Sequence, residues 1–171
     1  ITLGSEHNAT WLEFAWTANA VSPDAVRQLG ARLRDHAIDT VYVEASAWRT
    51  DGTLLEGQFV QDFVTTLREI LPDVRVLLWL RMSVDQIANP DQQAMVVALA
   101  DKALHQWGLD GVQLNGLAVA SGSSSYVELL RSLRDLVGAE GLLSVTVPPD
   151  RIPSDADVPV GSTSDPELTW S

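Results

Sequence analysis

The chain has 171 residues, 46% of them hydrophobic and 20% charged, a balance that suits one soluble globular domain with a sizeable core and not a disordered segment. A formal net charge of −12 argues against a nucleic-acid backbone or an anionic membrane as partner, and no apolar run approaches the ~20 residues of a membrane span. With no Cys, disulfides, thiol nucleophiles and thiolate metal sites are excluded.

The elements then alternate along the chain. Residues 1–9 are polar and expected to be irregular. Thr10 to Trp16 (TWLEFAW) is aromatic and half alternating, which predicts a first strand. Ser22-Pro23-Asp24 predicts a helix start, with Ser as N-cap and Pro at the first helical position. Val26, Leu29 and Leu33 follow at helical spacing as far as His36. Thr40 to Trp48 (TVYVEASAW) predicts the second strand, ended by a Thr50-Asp51-Gly52 turn. Phe59 to Leu71 predicts the second helix, with Phe59, Phe63, Leu67 and Ile70 on one face.

Val74 to Leu80 (VRVLLWL) is nearly all apolar, the pattern of a third strand covered on both faces. Asn89-Pro90 opens a third helix that runs to Trp107 and is closed by Gly108. A fourth strand ends at Leu117, and Ala118 to Ser125 is a small, Ser-rich loop. Tyr126 to Val137 predicts the fourth helix, with a stripe of Leu129, Leu130, Leu133 and Leu136. Leu142 to Val147 predicts a fifth strand, stopped by Pro148-Pro149. Strands alternating with helices imply an α/β fold of parallel βα repeats with right-handed crossovers. Such a domain is expected over residues 1–149, with 150–171 as a loop or truncated tail. One candidate architecture is an open doubly wound sheet. The loop after the first strand, Thr17 to Val21, has no glycine, so it lacks the backbone that cradles a phosphate.

The fourth strand carries the most specific signal. In Gly108-Leu109-Asp110-Gly111-Val112-Gln113-Leu114-Asn115-Gly116-Leu117, alternation puts Val112, Leu114 and Gly116 toward a helix layer. Gln113, Asn115 and Leu117 point the other way. A buried amide costs about 1–3 kcal/mol unless it is hydrogen-bonded, so two of them in alternate positions suggest a polar site. This run resembles the fourth strand of the family 18 glycoside hydrolases, the chitinase-like (β/α)8 TIM barrels, whose motif is Asp-x-x-Asp-x-Asp-x-Glu. Asp110 matches the first Asp, Gln113 stands at the second, Asn115 at the third and Leu117 at the Glu. The resemblance implies a structural role for Asp110 and Gly111, and an acetamido-binding role for Asn115. It also implies that the general acid is missing, because Leu117 cannot donate a proton. It covers about Trp11 to Pro149. A whole barrel typically needs ~250 residues, so it implies a partial TIM barrel of about five strands.

In both architectures ligands gather at the C-terminal ends of the strands. That rule selects Glu13 or Trp16 on the first strand, Glu44, Ser46 and Trp48 on the second, and Trp79 and Arg81 on the third. Gln113 and Asn115 come from the fourth strand and Thr146 from the fifth. Glu44 sits among Val41, Val43 and Ala45, and a dry pocket would favour its protonated, acid form. Alternatively, Glu44 pairs with Arg49 or Arg81, or accepts a backbone amide, and ties two strands together. Trp16, Trp48 and Trp79 are the sugar-stacking candidates by position, whereas Trp11 and Trp107 are expected in the core. His7, His36 and His105 have no paired spacing, and no strand-end His could serve a Ser nucleophile. No metal or cofactor is expected.

Three functions follow as expectations. The first is a glycoside hydrolase-like domain that binds carbohydrate with reduced or lost hydrolysis, Gln113 and Asn115 holding the sugar, Trp48 or Trp79 stacking on it and Arg81 beside them. The second is an active glycosidase with Glu44 as acid. The third is a non-catalytic interaction module, whose sheet edge pairs with another copy or with a missing C-terminal half of the barrel. A glycan-directed role would place the domain outside the cytoplasm.

Overall fold

Five parallel strands, hydrogen-bonded in the order in which they occur along the chain, frame the molecule. A computed structural model describes residues 8–116, 119, 122–139 and 141–146. The strands are β1 (Asn8–Leu12), β2 (Ile38–Glu44), β3 (Ser46–Trp48), β4 (Leu54–Glu56), β5 (Arg75–Met82), β6 (Gly111–Gly116) and β7 (Leu142–Thr146). The helices are α1 (Ala15–Ala18), α2 (Pro23–Asp35), α3 (Val60–Ile70), α4 (Val84–Ala88), α5 (Pro90–His105) and α6 (Ser124–Val137). The main sheet runs β1-β2-β5-β6-β7, and β3 and β4 form a separate antiparallel hairpin. A doubly wound sheet must reverse its strand order at a switch point. This one never reverses, so the doubly wound alternative is set aside and the sequential winding of a partial TIM barrel stands.

Side-chain alternation divides the sheet into two faces. Val41, Val43 and Ala45 of the β2 region, Val76, Leu78, Leu80 and Met82 of β5, and Val112 and Leu114 of β6 pack with the helices into one core. Leu29, Phe63, Leu67, Leu99, Leu129 and Leu133 supply the helical side of it. The helices begin where their caps dictate: Ser22 accepts the Ala25 N–H, Asn89 those of Asp91 and Gln92, and Ser123 that of Tyr126. The other face carries Trp11, Tyr42, Leu77, Gly111 and Leu142 in one register row, and Glu44, Trp79, Gln113 and Ser144 in the next. Arg81, Asn115 and Thr146 form the row nearest the C-terminal ends.

Several expected boundaries are corrected. The first strand is Asn8–Leu12, not Thr10 to Trp16, because the chain turns into α1 after Leu12. Tertiary contacts impose that turn on an aromatic segment. The Phe14 N–H donates to Glu44 Oε2 at 3.2 Å, and Thr17 Oγ1, fully buried, donates to the Glu44 carbonyl at 2.7 Å. The expected second strand breaks after Glu44, and Ser46–Trp48 pairs instead with Leu54–Glu56 around the Asp51-Gly52 turn. Helix α4 was not foreseen, although Ser83 and Gln86 form a capping box whose Ser-x-x-Gln signal stands in the sequence. Helix α6 begins at Ser124, inside the segment expected as loop. Leu117 and residues 147–171, including the expected tail, lie outside the described residues.

The lower end of the sheet is held by Asp110. Its carboxylate accepts the Val76 N–H at 2.7 Å and pairs with Arg68 of α3 at 2.8 Å. Its backbone N–H donates to the Val76 carbonyl at 2.8 Å. Arg68 also donates to the carbonyl of Gly108, whose φ of 70° makes the turn from α5 into β6. At Gly111 an added Cβ would lie 2.1 Å from the Leu142 carbonyl oxygen, so β6 and β7 approach as closely as they do because that residue has no side chain.

Candidate functional site

The upper end of the sheet gathers the expected site residues into two adjoining groups, joined by Arg81. Glu44 ends β2 and is largely covered, with 14% of its side chain exposed, whereas the Arg81 side chain beside it is 51% exposed. Arg81 Nη1 donates to Glu44 Oε1 at 3.4 Å, while Glu44 Oε2 accepts the Phe14 N–H. Both carboxylate oxygens are thus occupied as acceptors. The guanidinium carbon of Arg81 also lies 5.4 Å from the centroid of the Trp79 ring, a cation–π arrangement. A half-exposed ion pair contributes about 0–1 kcal/mol and an exposed cation–π contact about 0.5–1 kcal/mol. Contacts this weak do little for the fold; their consequence is to orient the guanidinium.

The first group surrounds a cavity of about 280 Å³ between the β3–β4 hairpin and the end of β5, lined by Glu44, Ser46, Trp48, Arg81, Ser83 and Gln86 over an apolar floor that includes Leu80 and Met82. Trp48 Nε1 donates to the Arg81 carbonyl at 2.8 Å, which fixes the ring as one wall. In the capping box Gln86 Oε1 accepts the Ser83 N–H and Ser83 Oγ accepts the Gln86 N–H.

The second group faces the concave side of the sheet. Gln113 is buried and donates Nε2 to Thr146 Oγ1 at 2.9 Å. Its Oε1 has no partner among the described residues, and neither has Trp79 Nε1, although both are shielded from solvent. Trp79 and Gln113 are register partners on adjacent strands. Asn115 is half-buried next to Arg81 in the row above. A third buried polar atom without a partner among the described residues, Tyr126 OH, belongs to the helix layer, where burial pushes its pKa up.

Other candidates fall outside this arrangement. Glu13 is exposed in the turn after β1. Trp16 turns toward the helix layer and packs 5.8 Å from Phe63, so the platform reading of Trp16 is corrected. Trp11, expected in the core, is 53% exposed and lies 5.1 Å from Tyr42 on the concave face. The register explains the change, because Trp11 pairs with Tyr42, which faces away from the helices. Sequence reasoning did not single out Ser83 or Gln86; their capping box was the signal that could have placed them at a strand end. Among the described residues no helix is long and apolar enough to cross a membrane.

No protein-family model matches the sequence, and no curated protein matches it. Solved structures do match in fold. The chitinase domain of the spore coat protein CotE from Clostridium difficile aligns with a TM-score of 0.57 and 15% identity, over 85% of this chain and 43% of that one. A glycoside hydrolase family 18 N-acetylglucosaminidase from Paenibacillus barengoltzii aligns with a TM-score of 0.54 and 14% identity, over 82% and 45%. A class V chitinase mutant from Cycas revoluta, solved in complex with (GlcNAc)3, aligns with a TM-score of 0.59 and 14% identity, over 81% and 45%. The chain therefore has the fold of part of a family 18 barrel, and it spans less than half the length of these structures.

Proposed function

We propose that this chain is a glycoside hydrolase-like domain that binds N-acetylglucosamine-containing glycan at the C-terminal ends of its strands, with hydrolysis reduced or lost. The observation that carries the reading is the polar row on the concave face of a chitinase-like sheet. Gln113 Oε1 and Trp79 Nε1, one acceptor and one donor on adjacent strands, both lack partners among the described residues. Such an orphan costs about 1–3 kcal/mol, and a sugar hydroxyl, which donates and accepts at once, complements the pair. Asn115 offers an amide to an acetamido group, and Trp48 or Trp79 an aromatic wall to a pyranose ring. The ligand class is that of the Cycas revoluta complex, brought to this chain as part of the proposal.

The reading of lost hydrolysis is supported by the sequence, in which Leu117 stands where the motif of the resembling family has its general acid. Glu44 is the carboxylate at the C-terminal end of β2, but its two oxygens accept from Arg81 and from the Phe14 N–H. That geometry supports a positioning role for Glu44 over proton donation.

The test is a paired assay of the purified chain and Leu117→Glu against chitin oligosaccharides, following binding and cleavage together. The expected result is binding without cutting by the native chain and measurable cleavage by the variant. If neither protein binds, the glycan reading is wrong. If the native chain cleaves, the loss of hydrolysis is wrong, and Glu44→Gln then shows whether Glu44 is the acid.

A further inference from the structure

We infer that the cavity beneath the β3–β4 hairpin takes the carboxylate of an acidic sugar, and that Arg81 is the group that recognises it. The inference rests on the glycan reading and adds to it the charge of the ligand. It follows from the charges and the hydrogen-bond donors that line the cavity. Glu44 accepts at both oxygens. Ser83 Oγ and Gln86 Oε1 accept backbone N–H groups in the capping box, which leaves these two side chains donors to offer, and Trp48 Nε1 donates to the Arg81 carbonyl. Arg81 is the one cation in this lining. A guanidinium has five N–H donors in a planar fork, and among the described residues Arg81 makes one side-chain hydrogen bond, the 3.4 Å contact to Glu44.

The charge open to a ligand is therefore positive. Arg81 is 51% exposed and Glu44 14%, so the pair presents its cation and hides its anion. Stacking against Trp79 holds the fork in place before any ligand arrives. A neutral sugar hydroxyl needs an acceptor as well as a donor, whereas a carboxylate needs donors alone and matches an arginine fork in two parallel hydrogen bonds. The Ser46 hydroxyl, on the same wall, is a further donor. A volume of about 280 Å³ suits one sugar ring or its acidic arm, and not a length of polymer. The chain's net charge of −12 opposes an anion at long range, but exposed charges are screened beyond about 8–10 Å at physiological salt, so the local guanidinium decides.

The experiment is calorimetric titration of the chain with three disaccharides: neutral N,N′-diacetylchitobiose, N-acetylglucosaminyl-N-acetylmuramic acid, and glucuronosyl-N-acetylglucosamine. The second carries its carboxylate on a lactyl ether and the third on the ring, so together they tell the two sources of the charge apart. The expected result is that at least one acidic sugar binds about tenfold or more tightly than chitobiose. Arg81→Gln should abolish that preference, so that the acidic sugars and chitobiose bind the variant with similar affinity. Because Arg81→Gln leaves Glu44 without its cation, Glu44→Gln/Arg81→Gln is measured beside it, and it too should lose the preference. Equal binding of all three sugars would overturn the inference and leave the glycan reading intact. An acid preference that survives Arg81→Gln would overturn the assignment to Arg81. If no disaccharide binds, both readings fall together.

Discussion

The carboxylate of Asp110 accepts the backbone N–H of Val76 at 2.7 Å, joining the first residue before β6 to the start of β5 across 34 positions of sequence. The same oxygen pairs with Arg68 of α3, so one side chain ties two strands and a helix. Val76 is fully buried, and its N–H would otherwise face no acceptor. Asp110→Ala is expected to cost about 1.5–3 kcal/mol, the value of a charged hydrogen bond to a buried amide. Asp110→Asn keeps an acceptor for Val76 and loses only the half-exposed ion pair, about 0–1 kcal/mol. Urea unfolding of both variants checks the difference; equal losses would mean that the Val76 bond contributes little.

Gly111→Ala tests the close approach of β6 and β7. A Cβ placed 2.1 Å from the Leu142 carbonyl oxygen meets backbone, which cannot rotate away. The substitution is expected to cost about 1–3 kcal/mol and to speed hydrogen exchange at the β7 amides more than at β2. Unchanged exchange across 142–146 would show that the strands can part without loss.

Thr17→Val removes a hydroxyl of nearly the same shape. Thr17 is fully buried, and its Oγ1 donates to the Glu44 carbonyl, while its own carbonyl accepts the Phe59 N–H at 2.9 Å. Leaving the Glu44 carbonyl without that donor is expected to cost about 1–3 kcal/mol, with Thr17→Ser much milder. Thermal unfolding ranks the two, and a Val variant as stable as the native chain would rule out this latch as the force that bends α1.

Asp51 gives a prediction in pH. The Thr53 hydroxyl, and secondarily the Thr53 N–H, donate to its carboxylate at 2.6 and 3.0 Å and hold its pKa below the ordinary 3.8. A carboxylate whose folded pKa is depressed contributes stability above its unfolded pKa and loses it as pH falls through the folded value. The hairpin turn should therefore keep its geometry at pH 3.8 and loosen below it. An NMR titration of the Thr53 amide should show a midpoint under 3.8, and Thr53→Val should move that midpoint up. A native midpoint at or above 3.8 would contradict the turn geometry.

The facing of the residues on β6 and the starts of two helices were legible before any coordinates. Val112 and Leu114 against Gln113 and Asn115 could be sorted by alternation, since a strand shows its faces in its own spacing. The helix starts at Ser22 and Asn89 were equally local, each a cap within a few residues of the backbone it satisfies. Trp11, Trp16 and Glu44 were not legible in this way. Whether Trp11 is covered depends on its register with Tyr42, and whether Trp16 continues a strand depends on a carboxylate 28 positions away. The break after Glu44 needed the Leu54–Glu56 partner strand, too short to announce itself by pattern.

The sequence by itself determined the βα rhythm, the helix caps and the polar face of β6, because each is a matter of residue type and short-range spacing. Only the tertiary structure decided the unreversed strand order, the exposure of Trp11, the engagement of both Glu44 oxygens and the open fork of Arg81. Those outcomes depend on which distant residues meet across the sheet, and hydrogen-bond partners and solvent exposure exist only once they have met.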